Sequence, residues 1–253
     1  MKAHEPDFRL ERDPAGIVWF PADGWINPEA LRAYYLKGIT RRRDKVTIVA
    51  RSGTGKLRVT TASGDQRDVD CVVDAAGAGV NDILLASPQT RIVVTTGFVV
   101  SASVDSLLVS SVIRTESLGI RPDGPGRVVI HCHDIDELLE RDRITIDQAA
   151  NILLLRARNA FANVSEITAR CTTLGPRPAP RDGLPSVGES ASLAGYYELS
   201  AHSGLALAPL LGRLVATEVL GGATNSILDP FRPGRTVTNE LDGSGASSYV
   251  GHS

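Results

Sequence analysis

The sequence predicts an α/β protein, on three observations. Apolar residues recur at helical spacing in 27–43, 134–162 and 205–222. Short strand-like runs, VTIVA (46–50), LRVTTA (57–62) and VDCVVDAA (69–76), end in turns. Residues 91–133 read as a succession of antiparallel strands. At 253 residues the chain is long enough for one large domain or two small ones. A net charge of −2 and an aromatic content of 5% argue against a nucleic-acid surface and against base-stacking platforms. Cys71, Cys132 and Cys171 lie far apart without a Cys-x-x-Cys pair, which speaks against a disulfide framework and favours a reducing compartment.

The polar start, MKAHEPDFRLERD, lacks the apolar stretch of a signal peptide. No run reaches the roughly 18 apolar residues of a spanning helix; the best candidate, 205–220, is interrupted by Pro209, Arg213 and Glu218. A cytoplasmic protein without a membrane span is expected.

In order along the chain, AGIVWF (15–20) predicts a strand stopped by Pro21. Asn27 as cap, Pro28 in the first turn and Glu29 at the positive end predict a helix carrying Leu31, Tyr34, Tyr35 and Ile39. Arg41, Arg42 and Arg43 close it, as a solvated end rather than a nucleic-acid patch. VTIVA and LRVTTA form a hairpin across RSGTGK. That turn is not a phosphate loop, because Ala50 stands where the first glycine is needed and Leu57 replaces the hydroxyl residue. VDCVVDAA runs into the turn Gly77-Ala-Gly79. The segments 91–104, 107–114 and 126–133 are read as sheet strands. His131 and His133 would share a strand face, which without a second ligand cluster does not make a metal site. Residues 134–162 are helical, 165–174 a strand, 175–188 a loop rich in Pro and Gly, 195–201 a strand, and 205–222 a helix. The tail from Leu241 is expected to be disordered.

The stretch 175–235 carries the chemical signal. A strand passing through His202, Ser203 and Gly204 into a helix aims free N–H groups and a positive helix end at one spot, which suits a delocalised anion. Gly204 admits a flat ligand to the backbone. The alternative is a Ser-capped amphipathic helix with no ligand at all.

Four segments, in order, are similar to the FAD-dependent oxidoreductases of the D-amino acid oxidase type, which include glycine and sarcosine oxidases and D-amino acid dehydrogenases. GWINPEALRAYY (24–35) resembles a Gly-x-Val-Asp-Pro segment with its helix. VDCVVDAAGAG (69–79) resembles a Val-Val-Asn-Ala-Ala-Gly strand and turn. GPRPAPRDGLPSVG (175–188) resembles an Arg-Pro-x-x-x-Asp-Gly-x-Pro-x-x-Gly loop. YYELSAHSGLALAPLLGRLVATEVL (196–220) resembles the Gly-His-x-Gly flavin turn and its helix. The last two together are the specific ones.

The resemblance implies an α/β fold in which a truncated FAD-binding, Rossmann-like portion (24–86 and 175–240) is interleaved with an antiparallel β-sheet substrate domain (1–23 and 87–174). Arg177 is then the arginine that pairs with a substrate carboxylate. Ala76 and Gly77 form the turn beneath the cofactor. His202, Ser203, Gly204, Leu205 and Ala206 face the flavin, while Asp182, Gly183 and Arg235 are structural. The implied reaction is hydride transfer from an amino acid or amine to FAD. The family's opening Gly-x-Gly-x-x-Gly segment does not occur in this sequence. A second chain supplying the ADP-binding segment is therefore one expected partner, and a non-catalytic remnant or binding subunit is the alternative. An exposed apolar face is expected where the missing strand and helix would pack.

Overall fold

The computed structural model describes residues 4–9, 16–85, 92–105, 109–162, 164, 166–221 and 223–235. The chain divides into two compact units, one of residues 1–38 and 96–175, the other of residues 39–95 and the chain from 176 onward. The elements run in the order α1 (Pro28–Tyr35), β1 (Val46–Arg51), β2 (Leu57–Thr61), β3 (Gln66–Val69), β4 (Val72–Asp74), β5 (Leu84–Leu85), β6 (Ile92–Val104), β7 (Ile113–Arg114), β8 (Gly119–Pro122), β9 (Arg127–His131), α2 (His133–Glu140), α3 (Ile146–Ala160), β10 (Ile167–Pro180), β11 (Ser186–Glu189), β12 (Tyr196–Ser200) and α4 (Gly204–Gly221). The predicted α/β class holds.

The first unit packs a sheet and two of its three helices, α2 and α3, around one apolar core. The sheet order is β10-β6-β9-β8-β7, with antiparallel pairing of β6 to β9, β9 to β8 and β8 to β7. Alternate residues Phe98, Val100 and Ala102 of β6 are fully buried with Val128 and Ile130 of β9, against Ala149, Leu153 and Ala157 on one face of α3. Thr145 and Gln148 start α3 as a capping box, each side chain taking the other's backbone N–H. Gly119 lies directly beneath the His131 ring, 2.6 Å from where a Cβ would stand, so no larger residue fits there without displacing the imidazole.

The second unit holds two sheets and α4. In the order β3-β2-β1-β5, the β1–β2 hairpin is antiparallel, turned by Gly55 at φ +81°, and β5 runs parallel to β1. The other sheet, β11-β12-β4, is mixed: β11 is antiparallel to β12, while β12 is parallel to β4 with Tyr196 opposite Val72 and Glu198 opposite Asp74. Leu211, Leu214 and Val215 of α4 pack with Val187, Ala201 and Leu228. A short 3-10 segment, Ser226–Phe231, follows α4. It is tied back by Arg232, whose guanidinium donates to both oxygens of the buried Glu218 at 2.7 and 2.8 Å.

Several expectations change. Residues 16–20 form no strand, and Ile17, Val18, Trp19 and Phe20 are exposed. The first helix stops at Tyr35 rather than reaching Arg43: it buries no residue, and Gly38 at φ +78° turns the chain away. VDCVVDAA splits between two sheets, because β3 joins β2 whereas β4 joins β12. The predicted 134–162 helix is two helices, broken where Asp142 adopts φ 51°. Residues 175–180, expected as loop, continue β10. His133 opens α2 instead of sharing a strand face with His131. By length and composition α4 is apolar enough to cross a membrane, despite Pro209, Arg213 and Glu218. One face of it packs with Val187, Ala201 and Leu228, and Glu218 is paired with Arg232. The tail from Leu241 lies outside the described residues.

Arg232 holds the carboxyl of Glu218 below its ordinary 4.5, outweighing the opposing effect of burial. A depressed folded value means the stability Glu218 contributes is present above pH 4.5 and is lost as pH falls through the lower folded value. Between pH 7 and pH 3, roughly, the urea midpoint should fall less steeply in Glu218→Gln than in the unsubstituted chain; equal slopes would remove this ion pair from the acid response.

Candidate functional site

The candidate site residues all come from the second unit, with Arg177 just inside its boundary on β10. Parallel pairing of β4 with β12 makes both strands end at the same edge. Neighbouring strands lie about 4.8 Å apart, so the turn after Asp74 and the turn after Ser200 emerge side by side. In mixed and parallel α/β sheets, this carboxyl edge is where ligands bind.

The first turn is Ala76–Gly77. Gly77 has φ +59°, a conformation that favours glycine, and it starts a 3-10 segment, Gly77–Asp82. A Cβ on Gly77 would stand 3.5 Å from Pro178 Cγ, so the turn lies against the residue next to Arg177. Arg177 itself is half-buried. Its strand leads into a turn that Asp182 and Arg235 pin: Arg235 donates to both Asp182 oxygens at 2.7 Å and to the Leu184 carbonyl at 3.0 Å. Burial raises the Asp182 pKa, but Arg235 and the Leu184 N–H outweigh it, leaving the carboxyl below its ordinary value.

The second turn is His202–Ser203, exposed, and leads into α4. Ser203 O accepts the Leu207 N–H at 3.1 Å as the first bond of the helix. Gly204, Leu205 and Ala206 therefore present backbone N–H groups that the helix does not use, at its positive end. Leu205 is exposed, Ala206 is also exposed, and a Cβ built on Gly204 would meet nothing within 4 Å. Ser200, only 6% exposed, has a hydroxyl with no hydrogen-bond partner among the described residues.

Residues that sequence reasoning passed over hold the first turn. Asp74 Oδ1 accepts the Ala76 N–H at 2.9 Å, and Asp74 Oδ2 accepts the hydroxyl of the fully buried Tyr196. On the same face of β12, Glu198 accepts the Ser186 hydroxyl at 2.9 Å. Burial first, then Asp74 and Glu198, push the Tyr196 pKa up, so the phenol stays protonated and donates. The signal for Asp74 was its place two residues before Ala76, the spacing at which an aspartate caps a turn; Tyr196 carried no sequence signal.

Elsewhere, the His131 and His133 rings have centroids 6.5 Å apart, and burial pushes the thiol of the intervening Cys132 up to about 12. Among the described residues no group of three or more His, Cys, Asp or Glu is arranged to hold a metal ion.

A family model for FAD dependent oxidoreductases (DAO) matches residues 1–218, and the chain belongs to that family. Similar solved structures include iminodiacetate oxidase from Chelativorans sp. BNC1, with a TM-score of 0.64 at 22% identity over 80% of this chain and 56% of that one. Glycine oxidase from Geobacillus kaustophilus matches with a TM-score of 0.61 at 22% identity over 79% of this chain and 53% of that one. L-amino acid deaminase from Proteus vulgaris matches with a TM-score of 0.60 at 17% identity over 78% and 51%. The chain thus spans about half the length of these structures. Among curated proteins no match was found.

The family is FAD-dependent. The residues present fit the flavin-ring end of that cofactor: unused N–H groups at a helix start, open space over Gly204 and an orphaned buried hydroxyl at Ser200. Nothing in the sequence offers the Gly-x-Gly-x-x-Gly turn for the ADP end.

Arg235→Ala should free the 181–185 turn that follows the Arg177 strand. Limited trypsin digestion at Arg181 is then expected to accelerate several-fold with the far-ultraviolet spectrum unchanged; an unchanged cleavage rate would show the turn is held without the Asp182–Arg235 pair.

Proposed function

We propose that this chain is the flavin-ring and substrate portion of a FAD-dependent oxidoreductase that oxidises an amino acid or a secondary amine. The observation that supports this reading best is the shared edge at which the Ala76–Gly77 turn and the His202–Ala206 helix start emerge from parallel strands. When bound, FAD supplies the two-electron acceptor for the substrate Cα–H. The N–H groups of Gly204, Leu205 and Ala206 complement negative charge on the flavin pyrimidine edge, and Gly204 lets the ring approach the backbone. Arg177 orients the substrate by a two-point contact to its carboxylate, the geometry for which a guanidinium is suited. Loss of hydride and a proton from the amine leaves an imine, which water converts to a keto acid and the free amine or ammonia. Little acid–base machinery is required, and positioning is the protein's main contribution.

In this reading residues 24–86 and 175–240 make the cofactor portion, and residues 1–23 and 87–174 make the substrate portion. These 253 residues carry no dinucleotide fingerprint, so the ADP-binding segment of this reading lies outside them, and a second chain is one source for it. The same observation favours a second reading, a non-catalytic subunit that binds without turning over.

The visible spectrum of the purified chain, alone and after adding FAD, separates the two. Oxidised-flavin bands that survive desalting are expected. Glycine, sarcosine or a D-amino acid should then bleach them anaerobically. Arg177→Ala is expected to keep the bands but to lower the bleaching rate at low substrate by roughly 10²-fold, as for a misplaced substrate. Bound flavin that no amine reduces would favour the binding subunit, and no retained flavin would mean that these residues need the ADP-binding segment supplied from outside them, or are a remnant without catalysis.

A further inference from the structure

The Ala76–Gly77 turn is held by a pair of buried side chains that belong to neither turn. Asp74 is 6% exposed and Tyr196 is fully buried. Asp74 spends one oxygen on the Ala76 N–H and the other on the Tyr196 hydroxyl, while Tyr196 opens β12, the strand that delivers the His202–Ala206 segment. The two strands are registered at the same place, with Tyr196 opposite Val72 and Glu198 opposite Asp74. One carboxylate therefore ties the end of β4 to the start of β12. Without it, the Ala76 N–H and the phenol would both lose their partner inside the unit, and a buried polar group left unpaired is costly.

We infer that Asp74 and Tyr196 are positioning residues for the flavin: they set the Ala76–Gly77 turn at the height of the α4 start, so that both meet one flat ligand. This inference rests on the flavoenzyme reading above. Neither side chain touches the cofactor edge; each acts through the turn backbone. Asp74 is required for its two hydrogen bonds rather than for its charge. Asparagine meets both needs differently, its oxygen accepting the Ala76 N–H and its amide donating to the phenol oxygen.

The test compares Tyr196→Phe, Asp74→Ala and Asp74→Asn with Leu228→Ala, a buried apolar truncation on the 3-10 segment beyond α4. FAD titration, read by flavin absorbance and fluorescence quenching, gives affinity. Amide exchange of the flavin-free chain gives the order of the turn. Tyr196→Phe should weaken FAD binding about tenfold, the loss of one buried hydrogen bond. Asp74→Ala should weaken it further, and Asp74→Asn should restore it to within about threefold of the unsubstituted chain. Exchange at Ala76 and Gly79 should speed up in Tyr196→Phe and Asp74→Ala but not in Leu228→Ala. Equal FAD affinity in Asp74→Ala and Leu228→Ala, or unchanged exchange at Ala76, overturns the inference while leaving the flavoenzyme reading intact. If the unsubstituted chain takes up no FAD, these residues do not by themselves position the cofactor and this inference falls.

Discussion

The parallel pairing of β4 with β12 is the constraint on which the second unit's chemistry depends. Only three residue pairs carry it, from Val72–Tyr196 to Asp74–Glu198. A parallel pair brings two like ends to one edge, whereas an antiparallel pair would put the two turns at opposite ends. The turn with the left-handed Gly77 and the start of α4 thus converge. The buried link from Asp74 to Ala76 and Tyr196 fixes that convergence from inside the sheet, where a lost hydrogen bond has no water to replace it.

Two arginine–carboxylate forks secure the surroundings. Arg232 on Glu218 holds the segment after α4 against the helix, and Arg235 on Asp182 holds the turn that ends the Arg177 strand. Both are two-point contacts between planar groups, which fix orientation as well as distance. Both arginines belong to Pro-Phe-Arg-Pro-Gly-Arg, residues 230–235, so one six-residue piece near the end of the described chain holds both the end of α4 and the turn after β10. Outside these braces α4 presents Leu205, Leu210 and Leu220 to solvent, and α1 buries no residue at all.

Much of this is legible from local pattern. The β1–β2 hairpin, the strands around 92–104 and 127–131, the start of α1 at Asn27 and α4 from Gly204 all follow from alternation, helical spacing and turn chemistry. The family is legible too, because the Arg-Pro loop and the His-Ser-Gly turn are sequence motifs. Element ends are less so. Helical spacing continues from the first helix to Arg43, yet nothing packs on that face and Gly38 ends it. The Pro-rich stretch at 175–180 has the composition of a loop, but prolines are tolerated at a strand's edge, and β10 is an edge strand of its sheet.

The sequence by itself determined the family of the protein and nominated residues for its candidate site, because turn glycines, caps and motif spacing act over a few neighbours. Tertiary structure alone decided that Asp74 and Tyr196, 122 positions apart, share a hydrogen bond, and that Asp182 meets Arg235. Those contacts depend on strand pairing and burial, and a polar residue's partner across a sheet leaves no periodicity in the chain from which it could be read.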